Sequence, residues 1–437
     1  MIAVPARRRL LVVAAPLIAA GTGAVVFAIV RPTVMPDVGF WDTGEFQTVG
    51  PLLGTAHPTG YPSYVILGWL ASVVLQPIGE PALRMNVLSA LLVAFAATTT
   101  VWLVRALTGR LVVGAACGLV LGTMPIVWRV GTHADPHALH VVLVAVILGL
   151  LVTWENRRRT SSPGADRWLV AAAVAYGVAL GNQGLTVLLA PGIAACVLAV
   201  EPRILARRDL VVRCALALSV TALVLYLELP LRAGPFPAPL VYGHPDTPIG
   251  LLYVMFGAQF LGGLDPIGDL GGKLGTLADI AGHELGALAL LLPFAFLVTW
   301  LRRPAYALLS GSTLALTCWF AVSYENADIE RYFLGPAVIA LSWLGILAST
   351  LVDAVEALGG AGGASVRRPG HLARGGVVSR SAAAAATVAT AAALSFPGLT
   401  GLDAHRLEVD ESGDRAARDW LEDALDRIDR DAVVVSW

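Results

Sequence analysis

The chain has 437 residues, 57% hydrophobic and 14% charged, with mean hydropathy +0.73. Soluble domains carry about 25% charge, so a water-soluble multidomain enzyme is excluded. Thirty Lys+Arg against thirty-one Asp+Glu, net −1, exclude a nucleic-acid binder, which needs a basic footprint.

A membrane helix needs ~20 apolar residues to cross ~30 Å of hydrocarbon. Stretches of that kind fall at about 10–30, 84–106, 110–130, 137–154, 168–182, 184–200, 210–230, 284–301, 304–323, 332–352 and 380–397. They predict an all-α polytopic membrane protein of about eleven spans. The first follows Arg7, Arg8 and Arg9 and has no A-x-A site after it, which reads as an uncleaved anchor with a cytoplasmic N-terminus. The four cysteines lie inside apolar runs without metal-like spacing, where a thiol packs as a small hydrophobe.

Arginine-rich loops mark the cytoplasmic side. They are the turn at Arg105 and Arg110, then 155–167, 201–209, Arg302-Arg303 and 353–380. A further apolar stretch, 62–79, must not cross, or the later arginine loops would be pushed outside. It is expected to be an interfacial or re-entrant helix within the first outer loop, 31–83, with Tyr61, Tyr64 and Trp69 at headgroup level. A transmembrane domain 1–397 is then followed by an outer soluble segment, 398–437. There 410–431 is a charged amphipathic helix with Trp420, Leu421, Leu425 and Ile428 on one side, and 432–437 is a strand pattern. A lone strand has no sheet to join, so this outer segment is expected to be incomplete.

The scarce polar residues collect on the outer side. The first loop carries GFWDTGEFQTVG (39–50) and HPTGYPSY (57–64). Asp42 and Glu45, three apart, share a face of a helical turn, and irregular Gly/Pro backbone at membrane depth survives only when buried in protein or lining a wet cavity. Next, RVGTHADPHALH (129–140) holds three of the eight histidines. His133, Asp135 and His137 at alternate positions could ligate a metal such as Zn²⁺ or Mn²⁺; the plainer reading of Asp135-Pro136 is a helix start. Asn182 and Gln183 form a short outer turn. The large outer loop, 231–283, opens with Arg232 directly after a span, at a height that suits a lipid phosphate; Tyr242-Gly-His244-Pro-Asp246-Thr follows as turn chemistry. Glu325, Asp328, Glu330 and Arg331 fill 324–331, Arg331 being a second candidate for an anionic headgroup. The spans themselves are nearly free of charge, which disfavours an ion-coupled transporter.

WDTGEF, HPTGYP, the His/Asp turn, GVALGNQ (177–183), YLELPLRA (226–233), YGHPDT (242–247) and DIERYFLGP (328–336), in that order, resemble a domain-of-unknown-function family of protein O-mannosyltransferase-like membrane proteins, of the GT-C type. The resemblance implies a GT-C bundle with interfacial helices in its first outer loop and a sugar taken from a polyprenyl-phosphate carrier. It implies that Asp42 and Glu45 are the acidic motif and that His57, Pro58, Gly60 and Tyr61 are the HP-GYP motif. Thr59, Asp135-His137, Asn182-Gln183 and His244 depart from the family pattern around the donor and acceptor clefts.

The expected function is therefore transfer of a sugar, first of all mannose, from a polyprenyl phosphate to a hydroxyl acceptor such as protein Ser/Thr, on the outer face of a bacterial-type plasma membrane and with inversion. Asp42 is the expected base, with Glu45 orienting it or holding a divalent ion. Arg232, Arg331, His57 and Tyr61 are expected on the donor, and His133, Asp135, His137, Asn182, Gln183, His244 and Asp246 in support. A divalent metal has Asp42, Glu45, His133, Asp135 and His137 as candidate ligands. Two rivals are a non-enzymatic carrier-lipid binder of the cell envelope and a transporter.

Overall fold

The computed structural model describes residues 6–324, 328–364, 374–429 and 432; the strand pattern at 433–437, together with Glu325, lies outside them. Among the described residues the chain is helical, and β-structure is limited to two isolated bridges, Thr55–Val241 and Leu264–Tyr324. Among the described residues seven segments are long and apolar enough to cross a bilayer: Ala14–Thr33, Pro81–Thr108, His137–Arg159, Arg208–Ala233, Leu270–Arg302, Ile329–Leu358 and Ser381–Thr400. The other four expected spans form shorter helices, Leu111–Thr123, Asp166–Leu180, Gly184–Val200 and Pro304–Ala321. One reason is local. Met124 takes extended dihedrals ahead of Pro125, as pre-proline residues do, so Leu111–Thr123 ends and a separate turn, Pro125–Arg129, begins.

Pro81–Thr108, His137–Arg159 and Ile329–Leu358 are mostly enclosed by protein, whereas Arg208–Ala233 and Leu270–Arg302 are mostly exposed. Without a hydrophobic drive between helices in lipid, close approach of small residues matters. At Gly118 a Cβ would lie 2.6 Å from the Ala97 carbonyl, so only glycine lets these two helices touch there.

Ion pairs sort the two ends of the bundle. At one end Arg110 and Arg302 share Asp353, Arg303 reaches Glu155, Asn156 and the Leu107 carbonyl, Arg158 meets Glu201, and Arg207 meets Asp166. These are the arginine loops that the sequence places on one side.

At the opposite end a buried amide gathers the first loop. Asn86, one turn into Pro81–Thr108, donates to the Met35 carbonyl at 2.9 Å, and its Oδ1 accepts from Gln47 and from the Ala134 backbone N–H, each at 2.9 Å. Gln47 also donates to the Asp37 carbonyl and accepts from Gly39. The helix Pro62–Val74 starts at this end, where Ser63 bonds to Gly181 and Val178, and finishes there, where Arg84 bonds to Ser72 and Gly79. Its 13 residues rise only ~20 Å. Leu111–Thr123 is equally short, so it is the bonds at both ends of Pro62–Val74, not its length, that accord with a helix lying within one loop.

The structure corrects two expectations. The last part of the large loop, Leu270–Leu285, is helical and runs on into the following span. The tail helix expected over 410–431 is shorter, Ala416–Asp426, leaving Ile428 beyond its end, and a separate helix, Leu402–Val409, precedes it across the Asp410–Arg415 turn.

Replacing Asn86 by Ala orphans three buried partners, each costing ~1–3 kcal/mol. We expect Asn86→Ala to lower the detergent-solubilised melting temperature by the equivalent of about 3 kcal/mol, whereas Asn156→Ala at the other end, which removes a single donor to Ala106 and an acceptor for Arg303, costs less.

Candidate active site

The helix Trp41–Leu52 places Asp42 in its first turn and Glu45 one turn later, where the helix N-terminus favours carboxylates. The side chain of Asp42 is 50% exposed, and its Oδ2 lies 3.4 Å from Arg331 Nη1. Glu45 turns away from water to clasp the next motif: Oε1 accepts the His57 backbone N–H at 2.7 Å, and Oε2 lies 2.5 Å from His57 Nδ1. Burial works against charging His57, but the hydrogen bond and charge of Glu45, with Asp42 beyond, raise its pKa above the usual histidine value. Single ligand atoms of Asp42, Glu45 and His57 lie within 4.8 Å of one another.

Gly60 makes the HP-GYP turn work, with φ +80° and no room for a Cβ, which would meet Leu229 at 2.9 Å. The turn carries Tyr61 edge-on against Phe46 and His57. Burial first, then Tyr332, Asp42 and Asp135, push the Tyr61 phenol far above its usual range, so it faces these groups as a neutral hydroxyl.

Behind Arg331 sits Asp135, whose side chain is 2% exposed. Its Oδ1 accepts from the His137 backbone N–H and lies 2.7 Å from His137 Nδ1; its Oδ2 has no hydrogen-bond partner and lies 3.8 Å from His133 and 4.0 Å from Arg331. Burial alone would raise its pKa, but His137, Arg331 and His133 hold it well below the carboxylate range. Asp135 is thus a fixed internal anion that orients Arg331 and His137. Gln183 Nε2 donates to His137 Nε2 at 2.7 Å, and Asn182 donates to the Pro136 carbonyl, tying the 182–183 turn to the same cluster. The helix start at Asp135-Pro136 is present, with the first helical residue at His137. Metal ligation by His133, Asp135 and His137 does not fit these bonds: His137 spends both ring nitrogens on Asp135 and Gln183, and His133 Nδ1 meets Glu411 at 2.9 Å.

Arg232 and His244 lie elsewhere. Arg232 bonds to the Leu53 and Leu52 carbonyls, capping the C-terminal end of the Trp41–Leu52 helix, ~15 Å of helix from Asp42. His244 is 90% exposed beside Asp246. Other residues join this cluster: Asp328 and Glu330 from the 324–331 loop already noted, and Tyr332, Asp37 and the tail's acids and Arg418, which the sequence did not single out. Tyr332 packs its ring near His137, and Asp328 pairs with Arg331. From the tail, Glu411 meets His133, Arg418 meets Asp37 at 2.5 Å, and Arg129 is shared by Glu330 and Glu408. Burial disfavours charged His133, yet Glu411 and Asp135 raise its pKa.

Residues 42–204 match the family model described as the protein O-mannosyl-transferase TMEM260 N-terminal domain. Over 247 residues the chain is 29% identical to protein O-mannosyl-transferase TMEM260 of Mus musculus, covering 54% of this chain and 33% of that protein; it thus spans about a third of the curated relative. Among solved structures it is similar to ArnT from Cupriavidus metallidurans bound to undecaprenyl phosphate (TM-score 0.60, 15% identity, 95% of this chain and 81% of that one). It is also similar to the archaeal oligosaccharyltransferase AglB from Archaeoglobus fulgidus in complex with an inhibitory peptide and a dolichol-phosphate (TM-score 0.59, 13% identity, 94% and 58%). Over part of its length the sequence is thus similar to that of an O-mannosyltransferase, residues 42–204 matching the model of that protein's N-terminal domain, and the fold is like that of ArnT and AglB.

Proposed function

We propose that this protein is a membrane glycosyltransferase that moves a sugar, mannose in the first instance, from a polyprenyl-phosphate donor to a hydroxyl acceptor, protein Ser/Thr above all, on the outer face of the plasma membrane. The observation that carries this reading is the half-exposed Asp42 carboxylate 3.4 Å from Arg331, which is itself backed by buried Asp135. A base and a phosphate-binding cation stand side by side at the polar end of an apolar bundle. The undecaprenyl- and dolichol-phosphate in the named neighbours support such a donor, and the mouse relative's name supports mannose.

In this reading the donor phosphate takes the free face of Arg331, drawing the guanidinium from Asp42. Asp42 then accepts the proton of the acceptor hydroxyl. The hydroxyl oxygen bonds to the anomeric carbon as the carbon–oxygen bond to phosphate breaks, and polyprenyl phosphate leaves with its charge on Arg331. One displacement inverts the anomeric carbon. Tyr61 offers a neutral hydroxyl beside the reacting groups. Arg232 is a second phosphate contact only if it releases the Leu52 and Leu53 carbonyls.

Asp42, Glu45 and His57 also fit a divalent ion, two carboxylates and an imidazole being a hard-to-borderline donor set. Such an ion would supply Lewis-acid stabilisation of the leaving phosphate. It competes for the His57 Nδ1 that now faces Glu45.

In membranes supplied with labelled polyprenyl-phosphate mannose, Asp42→Asn is expected to lower transfer 10²–10⁴-fold and Arg331→Ala about 10²–10³-fold; unchanged transfer in Asp42→Asn overturns the reading. Arg232→Ala should act mainly on thermal stability. Because His57 has a raised pKa, its ion pair with Glu45 contributes stability that is fully present below about pH 6.5 and fades as pH rises through the raised value. Mn²⁺ affinity, measured by titration calorimetry on the whole protein, is expected to rise across the same window and to be largely lost in Glu45→Gln, which removes a ligand. Affinity flat with pH argues against His57 as a ligand.

A further inference from the structure

Trp41, the residue before Asp42, is 91% exposed and has φ +54°. Both facts run against ordinary preference. An aromatic ring normally buries 150–250 Å², and a bulky residue at positive φ is an outlier that persists only where surrounding structure imposes it. Beside it Phe40 is 45% exposed and packs edge-on against Trp420 of the tail at 6.2 Å. Trp420, with Leu421 and Leu425 on the same helix, is itself largely exposed. The tail is pinned there by Arg418–Asp37 and His133–Glu411. Two segments far apart in sequence thus meet to put three aromatic rings at the rim of the Asp42 site. The tail residues 402–429 carry ten acids against four arginines.

We propose that Phe40, Trp41 and Trp420 form a docking platform for an extended, basic, Ser/Thr-containing polypeptide, held so that one hydroxyl reaches Asp42. This rests on the glycosyltransferase reading for its chemistry, though not for the binding itself. Rigid aromatic rings are the residue type that dominates peptide recognition, and the acidic tail complements cationic side chains through long-range steering. A neutral glycan would gain nothing from that charge. A bilayer anchor accounts for exposed tryptophan, but Trp420 stands on an acid-rich helix tied to the polar loops, a poor partner for anionic lipid.

The test uses the full chain in nanodiscs and a fluorescent synthetic peptide containing Thr, Arg and Phe, with its counterpart in which each Arg is Glu. The Arg peptide is expected to bind with salt-sensitive affinity. Trp41→Ala and Trp420→Ala should each weaken it about tenfold, and the Glu peptide should bind at least tenfold more weakly. Emission lost in Trp41→Phe/Trp420→Phe should be quenched by iodide and not by brominated lipid. The proposal is overturned by no binding to wild type, by unchanged affinity in both alanine variants, by quenching from brominated lipid, or by displacement with a neutral mannan fragment alone. Trp-dependent peptide binding without any sugar transfer would retain the platform and discard the glycosyltransferase reading.

Discussion

Everything at the working end of this bundle depends on one fully buried amide. Asn86 lies at the start of a helix otherwise committed to apolar packing, and a lone amide there is costly unless its hydrogen bonds are made. It meets that requirement with Met35, Gln47 and Ala134. These partners belong to the chain just before the Trp41–Leu52 helix, to that helix itself, and to the turn that leads into Asp135. The same amide therefore fixes the separation between Asp42 and Asp135, two of the acids that face Arg331. Irregular backbone at this depth is tolerated because protein, not lipid, satisfies it.

Around that anchor the charges divide the labour. Asp135 is enclosed, holds its charge because His137, Arg331 and His133 surround it, and has no open path as a base. Asp42 is open and shares the same arginine. Glu45 is occupied by His57. Three carboxylates in one cluster are thus given three environments, a pattern in which surroundings rather than residue type set the role. The histidines are distributed likewise: His57 and His133 are drawn toward the charged form by their carboxylates, while His137 is held between Asp135 and Gln183.

Much of this was legible from residue spacing. Asp42 and Glu45 lie three apart and do share a helix; HPTGYP does make a turn against them; the arginine loops do cluster at one end, and the stretch 62–79 does contain a short helix tied down at both ends. What escaped the sequence depends on tertiary partners. Asn86 is a single polar letter in an apolar run, and only an intramembrane amide's rarity pointed to it. Arg232 stands at a helix end, which suits a phosphate in sequence terms, but its guanidinium closes on the Leu52 and Leu53 carbonyls. His133, Asp135 and His137 alternate as metal ligands can, yet their bonds go to Glu411, to a backbone N–H and to Gln183. The tail's helix was expected; its junction with Asp37 and His133 was not, since nothing local encodes a partner hundreds of residues away.

That junction has a consequence in time. Arg418 and Asp37 are 381 positions apart, and synthesis proceeds at roughly 5–20 residues per second. The first loop thus waits on the order of 20–80 s in the nascent protein before the tail arrives to seat beside it. During that interval the helix that carries Asp42 lacks its contacts with the tail. A chain assembled in this order completes that junction only when nearly all of its helices are in place.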